Sequence, residues 1–158
     1  MIAAERADHV IAMDFDEAAV GALYERTCSK QGNLTPLVMD FMNPSPNLGW
    51  AQSERQGLAE RGPADFALCL ALVHHLAISG NVPIDRIVEW LSNCGRAAVV
   101  EFVPKSDPMV QALLRTREDV FPDYTRESFE RALESRFQIL EATQIPNSER
   151  VLFRISGR

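Results

Sequence analysis

The chain has 158 residues, of which 46% are hydrophobic and 24% charged, a balance ordinary for one soluble globular domain, residues 1–158, with a sizeable core. A formal net charge of −6 and the lack of any Lys/Arg run argue against a nucleic-acid partner. The longest apolar stretch, "FALCLALV", is far short of a bilayer span, and "MIAAERADHV" has no basic segment followed by an apolar run, so neither a membrane helix nor a secretory signal is expected.

In chain order, residues 9–13 read as a buried strand ending at Asp14, and residues 17–29 as a helix with Asp16 as N-cap and Val20, Leu23 and Tyr24 at helical spacing. Residues 34–39 form a second apolar strand closed by Asp40, before the turn-rich "NPSPNLGW". A short helix, "SERQGLAER", stops at Gly62 and Pro63, and residues 65–73 are a third strand, almost wholly apolar. Uninterrupted apolar strands suit a parallel sheet covered on both faces. "PIDRIVEWLSNCG" is the clearest helix: Pro83 opens it, Ile84, Ile87, Val88 and Leu91 make one stripe, and Gly95 ends it. Residues 97–103 form a fourth strand. Helices over 109–117 and 125–135 follow, and runs at 137–142 and 151–155 read as a closing antiparallel hairpin. The order βαβ(α)βαβααββ predicts an α/β fold: a doubly wound, mainly parallel sheet of about six strands ending in that hairpin.

Ligands of such sheets sit beyond the carboxyl ends of the strands, which here carry Asp14, Asp40, His74, His75 and Glu101. A strand-end carboxylate such as Asp14 accepts two hydrogen bonds from a ribose diol; the plainer reading is a solvated acid, and for Asp16 a helix cap. Phe15 flanks a base or simply packs. Asp40 equally opens the turn before Asn43 and Pro44. His74 and His75, as consecutive strand residues, face opposite sides and do not chelate one ion; each is a weak base or a loop histidine bonded to backbone. Glu101 is a proton acceptor or the ion-pair partner of Lys105 or Arg96, Trp50 is a loop aromatic able to cover a ligand, and Tyr124 lines the acceptor side or leads into the helix capped by Thr125. Cys28, Cys69 and Cys94 form no CxxC pair, which leaves no disulfide framework or zinc site, puts Cys69 in the core and fits a reducing, cytoplasmic setting. No metal site is expected.

These segments, in this order, resemble the class I S-adenosylmethionine-dependent methyltransferases from their second strand to their C-terminal hairpin. "VIAMDFDEAAV" resembles the segment whose strand-end acid binds the ribose, "LVMDFMNP" the one that brackets the adenine, "PADFALCLALVHHL" the fourth strand and "AAVVEFVP" the fifth. Similar sequences also occur among methyltransferase-like proteins linked to bacterial nodulation. The resemblance implies S-adenosylmethionine as cofactor, bound by Asp14, Phe15, Asp40, Phe41 and Leu72, with His74, His75 and Glu101 at the reacting end as positioning groups or weak bases. The implied reaction is direct displacement of the sulfonium methyl by a small-molecule acceptor. The family's first strand and glycine-rich loop have no counterpart here, which raises a late start of the chain, a homodimer with a strand swapped across the gap, or an altered sheet. The competing functional reading is a non-catalytic, Rossmann-like interaction or dimerisation module; a nicotinamide-dependent enzyme ranks third.

Overall fold

The computed structural model describes residues 2–28 and 32–158. The chain divides into two compact units, Met1–Asn47 and Leu48–Arg158. The six expected strands are present, but they hydrogen-bond as two sheets rather than one, of two and four strands.

The first unit is a β-α-β element. Strand β1 (Val10–Asp14) runs parallel to β2 (Leu34–Val38), with Asp14 opposite Val38. Between them, α1 (Glu17–Thr27) is capped as its sequence suggests, the Asp16 carboxylate accepting from the Ala18 and Ala19 N–H groups at 2.9 and 3.1 Å. Ser29, the expected end of this helix, lies outside the described residues. The amide of Asn33 donates to the carbonyls of Ala4 and Ala7 and ties the segment before β1 to the start of β2. None of the described residues of this unit is buried.

The second unit holds the core. Its sheet runs in the order β3 (Ala64–Cys69), β4 (Gly95–Phe102), β6 (Val151–Gly157), β5 (Phe137–Gln144). β3 and β4 are parallel, β6 is antiparallel to both β4 and β5, and the closing hairpin is present, with a bulge between Ile139 and Glu141. One sheet face carries Ala98, Val100 and Phe102 of β4 and Val151, Phe153 and Ile155 of β6, all buried. Helix α3 (Ile84–Cys94) buries Ile87, Val88 and Leu91 on the expected stripe, and α5 (Arg126–Arg136) buries Phe129, Ala132 and Leu133. Phe102 stacks on Tyr124 and Phe129 with centroids 5.1 and 5.3 Å apart, and Phe153 meets Phe129 edge-on at 5.7 Å. Such aromatic contacts add about 0.5–1.5 kcal/mol each beyond the area they bury. On β3, Phe66 and Leu68 project on one side and are each more than half exposed, as is Leu70 just past the strand end, whereas Cys69 points the other way and is buried, as expected of it.

Three segments depart from expectation. The helix expected over 53–61 is only α2 (Leu58–Arg61); before it, a backbone-bonded loop joins Leu48 to Arg55 in both directions. That loop turns through positive φ at Gly49, Ala51 and Gln52 and pairs Arg55 back to Leu48, which keeps 53–55 out of a helix, and it leaves Trp50 83% exposed. The third strand stops at Cys69 instead of 73 because Ala71 turns to φ 50°, and a single π-type turn follows over His75–Ser79. The helix expected at 109–117 is α4 (Pro108–Leu114), started one residue earlier by the Asp107 cap on the Met109 N–H, 2.9 Å.

Candidate functional site

In the first unit the parallel pairing sets two carboxylates at the same end of the sheet. The Met39 N–H donates to the Asp14 carbonyl at 2.8 Å, so the chain leaving β2 stays bonded to the end of β1 as far as Met39, the residue before Asp40. Asp14 uses one carboxylate oxygen to accept the Asp16 N–H at 3.0 Å, which shapes the turn into α1. Asp40 does the same with the Met42 N–H at 2.8 Å, while its carbonyl accepts the Asn43 N–H at 3.1 Å; it is therefore the turn-former anticipated for it. In each acid the second carboxylate oxygen accepts nothing among these bonds. Phe15 is 69% exposed beside Asp14, and Phe41 is half-buried beside Asp40. A crevice of about 160 Å³ opens between β1 and α1, lined by Ala12, Met13, Asp14, Ala19, Val20 and Leu23.

In the second unit the carboxyl ends of β3 and β4 carry a different arrangement. Glu101, 5% exposed, has both oxygens engaged: Oε2 accepts the Ala71 N–H at 2.7 Å and Oε1 accepts from Arg150 Nη1 at 3.1 Å. The partner is thus Arg150, not Lys105 or Arg96; Lys105 instead donates to Asp119. Arg150 also forks onto Asp107, with Nε to Oδ2 at 2.7 Å and Nη2 to Oδ1 at 3.2 Å. That fork, ahead of the cap bond to Met109, holds the Asp107 carboxyl below the ordinary carboxylate range.

His74 and His75 do not lie on a strand, so the alternation argument used for them fails: they stand at the start of the π-type turn with rings 4.2 Å apart, centroid to centroid. His74 is 2% exposed and its Nδ1 has no hydrogen-bond partner among the described residues, whereas His75 is half-buried. Burial, reinforced by His75 and the Arg150 cation and opposed by Glu101 and Asp107, pushes the His74 pKa down to about 4. It is therefore a neutral imidazole at neutral pH. Leu72 is half-buried, and its carbonyl accepts the His75 and Leu76 N–H groups, 3.0 and 3.1 Å, which starts the turn. Tyr124 is buried and donates its hydroxyl to the Val103 carbonyl at 2.8 Å, a core role rather than an acceptor-facing one.

A larger groove, about 890 Å³, lies between the start of α3 and the loop before α5, with Asn81, Asp85, Phe121, Asp123 and Arg131 on its walls. Arg117 closes one end: it donates to the Ile78 carbonyl and to Asn81 Oδ1, and its guanidinium lies 5.2 Å above the Phe121 ring. No group of three or more His, Cys, Asp and Glu side chains suited to a metal occurs among the described residues.

Arg150, Asp107 and this groove are the features that sequence reasoning missed. Arg150 could be found only through the antiparallel pairing of β4 with β6, which brings the residue before Val151 beside the end of β4.

No protein-family model matches the chain. It is 42% identical over 147 residues to the nodulation protein NoeA of Rhizobium meliloti (strain 1021), a match that takes in 93% of this chain and 31% of NoeA. The chain thus spans about a third of that relative. Among solved structures it superposes on the PH0226 protein from Pyrococcus horikoshii OT3 with a TM-score of 0.58 at 12% identity, covering 98% of this chain and 74% of that one. It superposes on the 16S rRNA methylase ArmA with a TM-score of 0.54 at 17% identity, covering 94% and 61%. OxaC in complex with sinefungin and meleagrin gives a TM-score of 0.54 at 14% identity, covering 100% and 39%. The chain has a methyltransferase-type α/β fold. One expectation is overturned: ArmA shares this fold and is a 16S rRNA methylase, so the fold does not remove nucleic acid from the acceptors, and the restriction to small molecules falls. No helix among the described residues is long and apolar enough to cross a membrane.

Proposed function

We propose that this chain binds S-adenosylmethionine and belongs to a protein that transfers its methyl group by direct displacement. The observation that carries the reading is the pair of exposed carboxylates, Asp14 and Asp40, at the same end of a parallel strand pair in a methyltransferase-type fold. In the proposal Asp14 accepts from the ribose hydroxyls and Asp40 from the adenine amino group, and Phe15 and Phe41 supply apolar contact. OxaC, which shares the fold and was solved with the S-adenosylmethionine analogue sinefungin, supports the choice of cofactor. The cofactor supplies an electrophilic methyl on a sulfonium, and its transfer depends on alignment more than on a strong base. His75, the more accessible of the two imidazoles, takes the acceptor's proton; His74 and Glu101 position the turn that presents it. The likeness to NoeA supports a place for the reaction in nodulation.

The test is a calorimetric titration of the chain with S-adenosylmethionine. Saturable binding at micromolar cofactor is the expected result. No heat up to millimolar cofactor, with the protein folded, overturns the reading in favour of a non-catalytic interaction module.

A further inference from the structure

We infer that Arg150 is a positioning residue: by holding Glu101 and Asp107 it fixes the 70–75 turn, and through that turn the relative orientation of His74 and His75. The functional sense of this inference rests on the proposed role of the two histidines; its structural content does not.

The chain of contacts is continuous. Ala71 sits at φ 50°, a left-handed conformation that a residue with a Cβ adopts only when its surroundings hold it there. What holds it is the 2.7 Å bond from its N–H to Glu101 Oε2. Glu101 is in turn held by Arg150 Nη1 at 3.1 Å, and the same guanidinium grips Asp107 with two further N–H groups. Asp107 caps α4, so one side chain at the exit of the β5–β6 turn joins the end of β4, the start of α4 and the turn after β3. Three donors in a planar fork reach two carboxylates at once, a geometry that a lysine ammonium at the end of a flexible stem does not reproduce. Without the guanidinium, Glu101 and Asp107 are two mostly buried anions with no cation between them. Glu101 then has reason to turn toward water and release the Ala71 N–H.

His74 lies downstream of that release. It is buried, its Nδ1 is without a partner among the described residues, and its position follows from the Leu72 carbonyl that starts the turn. The charged and titratable groups facing it are His75, Arg150, Glu101 and Asp107.

The experiment uses the unliganded chain and NMR. In Arg150→Met, three changes are expected together: the Ala71 amide exchanges about tenfold or more faster relative to core amides of β4, the His74–His75 ring NOEs weaken, and His74 titrates above its wild-type value. Arg150→Lys restores the His74 titration by keeping a cation, but not the Ala71 protection, because it lacks the fork. Should Arg150→Met fail to fold, Asp107→Asn, which loosens one side of the fork, is expected to give smaller changes of the same sign in Ala71 exchange and in the ring NOEs, with His74 titrating lower because an anion facing it is gone. A lower melting temperature with an unchanged Ala71 exchange ratio and unchanged ring NOEs makes Arg150 a plain ion-pair partner and overturns the inference. These readouts need no cofactor, so a failed S-adenosylmethionine titration leaves them standing, and a successful one does not rescue them.

Discussion

The two units use the same kind of residue in opposite ways. In the first, Asp14 and Asp40 stand at strand ends with one oxygen each shaping a turn, among described residues of which none is buried. In the second, Glu101 also stands at a strand end, but both of its oxygens are bonded and it is almost wholly out of water. A carboxylate that remains in solvent can exchange water for a ligand's hydroxyls at small cost, whereas one that is already buried and paired is expensive to disturb. The first unit is therefore the place to look for binding, and the second the place from which stability comes.

Substitutions in the core break this comparison most visibly. Phe129→Ala removes a buried ring from the centre of the aromatic stack and is expected to cost about 3–5 kcal/mol in urea unfolding. Val20→Ala, on the half-buried face of α1, is expected to cost about 1 kcal/mol or less. Equal effects would mean that the first unit shares fully in the core's cooperativity.

Acid is expected to act next most strongly, and through the second unit. The folded pKa of His74 is lowered from its ordinary 6.5 to about 4, so the unfolded chain takes up a proton that the folded chain refuses. Its contribution to stability is complete above pH 6.5 and is lost as pH falls from there toward 4, by up to about 3 kcal/mol. The loss of the Asp107–Arg150 pair comes at lower pH still, because the folded Asp107 pKa is depressed. Unfolding curves at pH 7, 5.5 and 4 measure this, and His74→Asn is expected to flatten the upper part of the profile.

Helix caps give a smaller, sharper contrast. Thr125 accepts the Ser128 N–H at the start of α5, and Thr125→Ala is expected to lower global stability by about 1 kcal/mol. Asp16→Ala removes the same kind of cap from α1 and is expected to show chiefly as faster amide exchange at residues 18–20, with a smaller global effect.

Much of the second unit was legible in the sequence because its periodicities are strong. The Ile84–Leu91 stripe, the apolar β4 run and the closing hairpin all appear close to where their patterns put them. What was not legible depended on contacts between distant residues. The early end of β3 follows from the grip of Glu101 on the Ala71 N–H, thirty positions away, which no local propensity encodes. The histidines then fall on a π-type turn rather than on a strand, and the alternation argument loses its premise. The helix expected over 53–61 gave way to a loop closed by its own backbone, although Ala51 and Gln52 carry no hint of positive φ in their side chains. The Asp16 cap and the Asp40 turn were readable because such bonds are local. Arg150 was not, since its partners are fixed by the β4–β6 pairing.

The most direct test of the division between the units is the affinity of Asp14→Asn for sinefungin, measured alongside the melting temperature of the unliganded protein. Because asparagine keeps an oxygen for the Asp16 N–H and loses only the charge, the substitution is expected to give about 10–100-fold weaker binding, with stability unchanged to within about 0.5 kcal/mol. Unaltered affinity, or a melting temperature that falls as it does for a core substitution, would contradict the account.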